Sequence, residues 1–258
     1  MSVTKLFDLS ARIALVTGGS RGLGLQMAEA LGELGAKVAI TARKPQELNE
    51  AARHLRSLGI EALPIVCDMA NLATIPAMVE EVIAAFGAID ILVNNAGTAW
   101  GAATVDHTLE AWNKVINLNL TAMFVVTQEV GRRCMVPRCS GKIINIASIQ
   151  GLTGFYPETA ATLAYNTSKG GVVNFTRTLA YEWARHDINV NAIAPGFFPT
   201  RMTKGILDVL GDETANMAPL KRVGGAEDLK GITALLASDA CAFITGQTIA
   251  VDGGLTAV

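Results

Sequence analysis

The chain has 258 residues, of which half are hydrophobic and 17% are charged, and its formal net charge is −2. This composition fits a well-packed globular protein and argues against a nucleic-acid partner. No apolar run reaches the ~20 residues of a bilayer span and the first residues lack a signal-peptide layout, so we expect a soluble cytoplasmic protein without a membrane partner. The four cysteines form no CxxC pair and the three histidines lack metal-ligand spacing, so no metal is expected.

Short runs rich in Val, Ile and Ala alternate with longer amphipathic stretches from one end of the chain to the other. This alternation predicts repeated βαβ units and a parallel sheet, and continuous apolar runs indicate strands that are covered on both faces. We therefore predict an α/β fold, a single doubly wound Rossmann domain over residues 1–258 with a seven-stranded parallel sheet. The predicted strands are 13–17, 37–41, 61–66, 89–93, 142–147, 189–194 and 248–251.

Helices are predicted between these strands, each long enough to cross the sheet and return the chain in parallel. They span residues 22–33, 45–57, 75–86, 109–136, 163–185 and 226–237. The polar segment 201–222 breaks the alternation and follows a predicted strand end. Ligands of open α/β sheets bind beyond the carboxyl ends of the strands, so we expect this segment to be a substrate lid.

A glycine-rich turn follows the first predicted strand. Residues 17–24 read TGGSRGLG and open directly into an amphipathic stretch. Glycines in such a turn let the backbone bend sharply and approach a pyrophosphate, whose charge then sits at a helix N-terminus. Three residues separate Gly18 from Gly22, which departs from GxGxxG, so an ordinary strand-to-helix turn is the alternative. The predicted dinucleotide-binding residues here are Gly18, Ser20, Arg21, Gly22, Leu23 and Gly24.

The end of the second predicted strand indicates which dinucleotide binds. NAD-binding versions of the motif carry an acidic residue there, whereas a basic residue can hold the 2′-phosphate of NADP. Residues 40–44 read ITARK and contain no carboxylate. Arg43 offers a planar fork for the phosphate, Arg21 could reach it from the glycine-rich turn, and Ser20 could add a hydroxyl. We predict NADP(H), with solvation of a helix start as the alternative role of these cations.

Tyr165 and Lys169 are four residues apart in a predicted helix, so their side chains share one face. A free tyrosine has a pKa near ~10, and a nearby ammonium group stabilises the phenolate and lowers that pKa. The pair therefore predicts an acid/base. Tyr156 is the alternative phenol, but Ala160 stands where the required lysine would be.

Further polar residues follow the ends of predicted strands. Ser148 comes after strand 142–147, where its hydroxyl could hold a substrate oxygen, and NNAG follows the fourth strand at residues 94–97. Asn119 lies within a predicted helix although asparagine is a poor helix former. If it is buried, a water shared with Lys169 would satisfy its amide.

Taken in order, the glycine-rich turn, NNAG, Ser148, Tyr165 with Lys169, and Pro195-Gly196 resemble the motifs of the short-chain dehydrogenase/reductase family. The resemblance covers essentially the whole chain, including the closing FITGQTIAVDGG at residues 243–254. It implies an oxidoreductase that moves a hydride between a nicotinamide cofactor and a carbonyl or alcohol carbon.

The resemblance also assigns roles to residues. Tyr165 becomes the acid/base and Ser148 the residue that binds the carbonyl oxygen. Lys169 holds the nicotinamide ribose and lowers the pKa of the tyrosine, while Asn119 anchors a water in a proton relay. Members of the family are usually tetramers or dimers, so we expect a homotetramer or a homodimer that binds a small-molecule substrate.

Further cofactor contacts are implied by the same resemblance. Asp68 meets the adenine, although a helix N-cap is an equally good reading of this residue, and Thr200 holds the carboxamide. Asn95 lies along the cofactor. The remaining implied cofactor-binding residues are Ala96, Gly97, Pro195 and Gly196.

Two substrate classes remain open. Residues 90–101 and 194–203 look most like bacterial 3-oxoacyl reductases, including the rhamnolipid-pathway branch, but similar sequences also resemble gluconate 5-dehydrogenases. An apolar pocket favours a 3-oxoacyl thioester or another hydrophobic ketone over a polyhydroxy acid, which needs several buried hydrogen-bond partners. The expected apolar lining residues are Trp100, Leu152, Phe155, Phe197, Phe198 and Met202.

Some features leave further alternatives open. Ser148 and Tyr165 are seventeen positions apart, several more than is usual in the family, and we expect the added segment at residues 155–158 to shape the substrate pocket. Three arginines, Arg132, Arg133 and Arg138, could meet an acidic carrier protein, although a solvated helix end is the simpler reading. A non-catalytic nucleotide sensor should have lost one of the catalytic side chains, and none is missing.

Overall fold

Seven parallel strands form one sheet in the computed structural model, which describes residues 2–154 and 161–257. In chain order they are β1 (Ile13–Thr17), β2 (Lys37–Ala42), β3 (Ala62–Val66), β4 (Ile91–Asn94), β5 (Gly141–Ile146), β6 (Ile188–Pro195) and β7 (Thr248–Val251). They are arranged across the sheet as β3-β2-β1-β4-β5-β6-β7, with every neighbouring pair parallel. The predicted doubly wound Rossmann fold is thereby confirmed.

Helices connect the strands and cover the sheet. In chain order they are α1 (Val3–Leu6), α2 (Gly22–Glu33), α3 (Pro45–Ser57), α4 (Ile75–Phe86), α5 (Leu109–Ile116), α6 (Ala122–Val130), α7 (Val136–Arg138), α8 (Leu163–Trp183), α9 (Lys204–Met217) and α10 (Lys230–Ala237). Among the described residues, no helix combines the length and apolarity that crossing a bilayer requires.

The strands are continuously apolar because successive side chains enter two different cores. In β1, Ala14 and Val16 pack into the core beneath α2, α3 and α10, whereas Ile13 and Leu15 pack into the core beneath α4 and α6. All four are buried. A strand with helices on both sides has no solvent face, so period-two alternation between apolar and polar residues is lost.

The helix predicted over residues 109–136 is continuous, but two π-helical turns interrupt its α-helical hydrogen bonding. The segment consists of α5, α6 and α7, joined by π-helical turns at Asn117–Thr121 and Gly131–Met135. A π-helical turn inserts one extra residue into the helix and often marks a functional position. The second turn begins at Gly131, where a Cβ atom would lie 2.2 Å from the Trp183 ring of α8. Glycine therefore lets these two helices approach closely.

Several other bounds shift by one or two residues from the prediction, and two segments after β6 differ more. No helix was predicted within the polar segment 201–222, yet it contains α9, which is interrupted by non-helical backbone at Gly211. The last predicted helix begins at Lys230 and not at residue 226. The carboxylate of Asp228 there accepts hydrogen bonds from the Gly225 amide and the Arg222 guanidinium, and this local turn delays the start of the helix.

Candidate active site

One cavity of about 790 Å³ opens at the carboxyl edge of the sheet. It lies across β1 and β4, where the strand order reverses, which is where open α/β sheets bind ligands. Every residue predicted to bind the cofactor lines it: Gly18, Ser20, Arg21, Gly22, Leu23, Gly24, Arg43, Asp68, Asn95, Ala96, Gly97, Tyr165, Lys169, Pro195, Gly196 and Thr200. Ser148 lines the same cavity, so residues from distant parts of the sequence share one site.

The backbone of the glycine-rich turn fits a dinucleotide. Gly18 and Gly22 have φ angles of +66° and +54°, which side chains disfavour, and α2 begins at Gly22. A Cβ atom on Gly24 would lie 2.4 Å from the Gly18 carbonyl oxygen. These glycines bring the N-terminus of α2 to the cavity, and its free N–H groups and partial positive charge suit a pyrophosphate.

Replacing Gly24 by alanine tests this packing. Because the obstructing atom belongs to the backbone, we expect a loss of about 2 kcal/mol in the free energy of unfolding and at least tenfold weaker binding of NADPH. Denaturant unfolding and calorimetric titration would measure the two quantities. Gly231→Ala is the matched control, because a Cβ atom on that glycine of α10 meets nothing within 4 Å. Equal stability of the two variants would contradict this account of the turn.

Asn95 braces the glycine-rich turn. Its side-chain amide donates to the carbonyl oxygens of Thr17 and Gly18 at 2.9 and 3.1 Å. In return, the Thr17 hydroxyl oxygen accepts the backbone N–H groups of Asn95 and Ala96 at 3.0 and 3.1 Å. Asn95 therefore fixes the conformation of the turn, in addition to its predicted contact with the cofactor.

Tyr165 and Lys169 lie next to each other on α8. The Lys169 Nζ atom is 5.6 Å from the centroid of the Tyr165 ring and donates to the Ile146 carbonyl oxygen at 2.6 Å. Burial lowers the pKa of Lys169 to about 8. Burial also raises the pKa of Tyr165, and the Ser148 hydroxyl lowers it in part. The prediction of a lowered tyrosine pKa is thus wrong for the protein alone, because the cost of burying a phenolate dominates.

Asn119 is buried, with 2% of its surface exposed, and lies within the first π-helical turn. Its side-chain N–H groups donate to the Thr98 carbonyl and the Ser168 hydroxyl, and its side-chain oxygen accepts the Thr98 N–H. Protein groups thus satisfy this amide in part without the water expected to be shared with Lys169, and that water stays a prediction. Ser168 in turn donates to the Tyr165 carbonyl oxygen at 2.7 Å, which links Asn119 to the helix of the candidate acid/base.

A buried polar ladder beneath the site was not predicted. Asn94 at the end of β4 donates to Thr127 at 3.0 Å and to Asn145 of β5 at 2.8 Å. Asn145 donates onward to Thr176 of α8 at 3.0 Å. Polar residues inside otherwise apolar strands were the available signal, because buried amides require partners. The ladder ties α6 and α8 to the sheet directly below the cavity.

The predicted phosphate-binding cations meet an unpredicted carboxylate. Arg21 and Arg43 line the cavity, and Arg21 is paired with Glu47 of α3. Lys44 and Arg201 each approach the same carboxylate at 3.2 Å. Glu47 was not predicted, because its position in the first turn of α3 indicates only a favourable helix-dipole contact.

Two more predicted sites acquire definite surroundings. The Asp68 carboxylate accepts the Ala70 N–H at 3.1 Å in a local turn, so the alternative of a helix N-cap at Asp68 is wrong, and the residue lines the cavity. The Thr200 hydroxyl is 2.9 Å from that of Thr203, and both residues line the cavity. Gly196 needs to be glycine because a Cβ atom there would lie 2.8 Å from the Asp252 Cα atom.

The predicted apolar lining is only partly correct. Phe198 and Met202 line the cavity, but Phe197 lines a neighbouring one of about 510 Å³. Trp100 and Leu152 are 46% and 38% exposed and do not line the main cavity. Phe155 and Tyr156 lie outside the described residues, as does the rest of the segment expected to shape the pocket. Two basic side chains at the start of segment 201–222, Arg201 and Lys204, also line the cavity and were not expected there.

The arginines considered for a carrier protein are engaged within the chain. Arg133 pairs with Glu129 at 3.0 Å and Glu80 at 2.7 Å, and Arg132 also approaches Glu129. Arg138 bonds to Asp90 at 2.8 Å and to backbone carbonyls. These arginines thus fasten helix ends through ion pairs within the chain, and contact with an acidic carrier protein stays a prediction.

Known proteins are similar to this chain over almost its whole length. A family model described as enoyl-(acyl carrier protein) reductase matches residues 18–256. Gluconate 5-dehydrogenase of Gluconobacter oxydans is 37% identical over 99% of both chains, and 3-oxoacyl-(acyl-carrier-protein) reductase of Synechocystis sp. is 38% identical over 96% of this chain and 98% of the relative. The solved structure of a gluconate 5-dehydrogenase from Burkholderia cenocepacia in complex with NADP and tartrate is 37% identical, with a TM-score of 0.92 over 100% of both chains.

The fold, the site and these similarities define a nucleotide-binding oxidoreductase. The chain belongs to the short-chain dehydrogenase/reductase family. Sugar-acid dehydrogenases and 3-oxoacyl reductases are matched at almost the same identity. The family is therefore established, while the substrate has to be argued from the site.

Proposed function

We propose that the protein is an NADP(H)-dependent oxidoreductase that moves a hydride between the cofactor and a carbonyl or secondary-alcohol carbon. One observation carries this proposal: Ser148, Tyr165 and Lys169 line the same cavity as the glycine-rich turn. The nicotinamide ring, when bound, supplies or accepts the hydride, so the chain itself has to orient the substrate and move one proton.

In the reductive direction, Ser148 donates its hydroxyl to the carbonyl oxygen as negative charge develops there. Tyr165 transfers its phenolic proton to that oxygen, which breaks the phenol O–H bond and forms the alcohol O–H bond. Lys169 stabilises the resulting phenolate and orients the nicotinamide ribose. Asn119 holds the Thr98 backbone and, through Ser168, the helix that carries the phenol.

Preference for the phosphorylated cofactor is supported by charge. Arg21, Arg43 and Lys44 lie at one end of the cavity, where β2 ends without a carboxylate. Guanidinium groups bind a phosphate through two parallel hydrogen bonds, so these residues suit the 2′-phosphate of NADP(H). The structural relative from Burkholderia cenocepacia is a complex with NADP, which agrees with this assignment.

A 3-oxoacyl thioester or another hydrophobic ketone is the first substrate class. Met202 and Leu207 supply apolar surface to the cavity from the segment after β6. We propose that residues 201–222 close over the substrate, and α9 in this segment gives the lid a defined shape. Apolar side chains there favour an acyl chain over a polyhydroxy acid, because apolar surface gives sugar hydroxyls no hydrogen-bond partners.

A sugar acid is the second candidate, for a specific reason. Arg201 and Lys204 line the cavity from the same lid segment and could bind a substrate carboxylate. This candidate is a gluconate 5-dehydrogenase-like activity that interconverts gluconate and 5-ketogluconate.

Steady-state assays of an acetoacetyl thioester, a panel of aromatic ketones and 5-ketogluconate, each with NADPH and with NADH, test both parts of the proposal. We expect NADPH to give at least tenfold higher kcat/KM than NADH, with the thioester or an aromatic ketone preferred. Exclusive turnover of 5-ketogluconate would replace the first substrate class by the second. A preference for NADH would overturn the cofactor assignment.

We also propose self-association as a homodimer or homotetramer. Phe124 on α6 and Tyr181 on α8 are 46% and 90% exposed, which is unusual for large aromatic side chains unless a partner covers them. Light scattering coupled to size-exclusion chromatography would measure the mass. A monomer at micromolar concentration would contradict this proposal.

A further inference from the structure

Three cations from separate parts of the chain converge on the carboxylate of Glu47. Arg21 comes from the glycine-rich turn and pairs directly with Glu47. Lys44 precedes α3 and lies 3.2 Å from the Oε1 atom, and Arg201 of the lid segment lies 3.2 Å from the same atom. The Glu47 side chain is 24% exposed, so this carboxylate is partly withdrawn from solvent.

The cluster lies within the cavity and not beside it. Glu47 and its three cationic partners all line the cavity, together with Arg43 at the end of β2. Arg21, Lys44 and Arg43 are the basic groups proposed to bind the 2′-phosphate of NADP(H), and Arg201 adds a further positive charge beside them. In the free protein, therefore, the carboxylate occupies cations that the phosphate would need.

A carboxylate and a phosphate compete for a shared guanidinium because both accept its paired N–H donors. The phosphate carries close to two negative charges at neutral pH and is repelled by a carboxylate at the same cations. NADH has hydroxyl groups at the corresponding ribose position and meets no such repulsion. Glu47 should thus weaken binding of the phosphorylated cofactor selectively.

We infer that Glu47 is an internal counter-ion that sets how strongly the site discriminates NADP(H) from NAD(H). In the free protein it neutralises the clustered cations and holds Arg21 and Arg201. When the 2′-phosphate binds, Arg21 and Lys44 are drawn from the carboxylate, and this exchange subtracts from the affinity. The inference rests on the proposed NADP(H) preference and adds a residue that tempers it.

The opposite role would be preorganisation, in which Glu47 positions Arg21 so that the phosphate finds it ready. Removal of the carboxylate would then weaken NADPH binding. The two roles differ in the sign of one measurable quantity. Arg21 is 46% exposed at its side chain, so the pair gives it little fixed geometry to lose, and the removal of repulsion should dominate.

The test compares dissociation constants for NADPH and NADH in the wild type and in Glu47→Gln, measured by calorimetric titration of the full chain. We expect NADPH to bind about three- to tenfold more tightly to the variant, since one like charge is removed near the phosphate in a water-exposed site. NADH should bind within about twofold of the wild type. The smaller pair 2′,5′-ADP and 5′-AMP should show the same contrast, because only the former carries the 2′-phosphate.

Two variants separate charge from side-chain structure. Glu50→Gln makes the same charge change one turn further along α3, at an exposed position outside the cavity lining, and should alter neither constant by more than about twofold. Glu47→Asp keeps the charge and should keep NADPH affinity near that of the wild type. Thermal unfolding of all variants would show that each is folded.

The same dissociation constants separate failure of the Glu47 inference from failure of the proposed cofactor preference. If the wild type binds NADH as tightly as NADPH, the cofactor assignment itself is wrong. If the wild type prefers NADPH but Glu47→Gln leaves its affinity unchanged or weakened, the counter-ion role is wrong and the assignment stands. An equal gain for NADPH and NADH would also overturn the inference, because the effect would then be independent of the phosphate.

Discussion

Replacement of Tyr165 by phenylalanine should lower kcat by about 10³-fold, because general acid–base transfer typically contributes 10²- to 10⁴-fold and no other described phenol lines the cavity. The variant keeps the ring that packs beside Lys169 and loses only the hydroxyl. We therefore expect the dissociation constant for NADPH to change by less than about threefold. Steady-state kinetics with the preferred ketone and calorimetric titration would measure the two effects.

Tyr181→Phe is the matched control. It makes the same chemical change on the same helix, α8, at a side chain that is 90% exposed. Its kcat should equal that of the wild type. Undiminished turnover by Tyr165→Phe would remove the proposed mechanism, and loss of both turnover and NADPH binding would indicate a structural role for the hydroxyl.

Replacement of Lys169 by methionine should lower kcat by about 10²-fold and also change the pH dependence of stability. The Nζ atom is the positive group beside the phenol, so its removal destabilises the phenolate that the reaction forms. Methionine matches the unbranched shape of the lysine stem and should preserve most of the packing. The kinetic effect tests the role of Lys169 in the reaction, and the pH dependence of stability tests its lowered pKa.

The sign of the pH effect follows from the pKa. Burial lowers the pKa of Lys169 from 10.5 to about 8, which corresponds to about 3 kcal/mol of destabilisation when the folded lysine is charged. This penalty is fully present below pH 8. Between about pH 8 and 10.5 the unfolded chain retains a proton that the folded chain has released, so the free energy of unfolding rises with pH.

Denaturant unfolding at pH 7 and pH 10 would measure this effect. Relative to Lys169→Met, the wild type should gain about 2 kcal/mol between the two pH values. The pair should be compared in a Tyr165→Phe background, so that the neighbouring phenol does not titrate. Lys5→Met, which removes an exposed lysine, should show no such difference. A wild-type gain no larger than that of the control would contradict the lowered pKa of Lys169.

Local sequence was sufficient for the sheet and for the positions of the candidate site. Strands β1 and β7 and helices α2, α3 and α4 have the predicted bounds, because each is a strong local pattern bounded by turn residues. The residues predicted to bind the cofactor follow strand ends or open a helix, and parallel strands bring their carboxyl ends to one edge. Topology therefore converts distant motifs into neighbours without requiring any side-chain detail.

Other features depended on contacts that no local pattern contains. The π-helical turn at Asn119 is stabilised by bonds to Thr98 and Ser168, which lie 21 and 49 residues away. The apolar lining was only partly predicted, because the sequence does not show which way neighbouring side chains of one loop turn: Phe197 lines only the smaller cavity, whereas Phe198 borders both.

The sequence by itself determined the order of strands and helices, the glycine-rich turn and the Tyr165–Lys169 spacing, because these depend on neighbours within a few positions. Only the tertiary structure decided the direction of the Tyr165 pKa, since burial depends on every element packed around the phenol. It also decided that Glu47 meets Arg201, 154 residues away, among the cations of the cavity. A charge pair of this kind forms only when folding brings separate loops together, so the positions of its two residues in the sequence do not predict it.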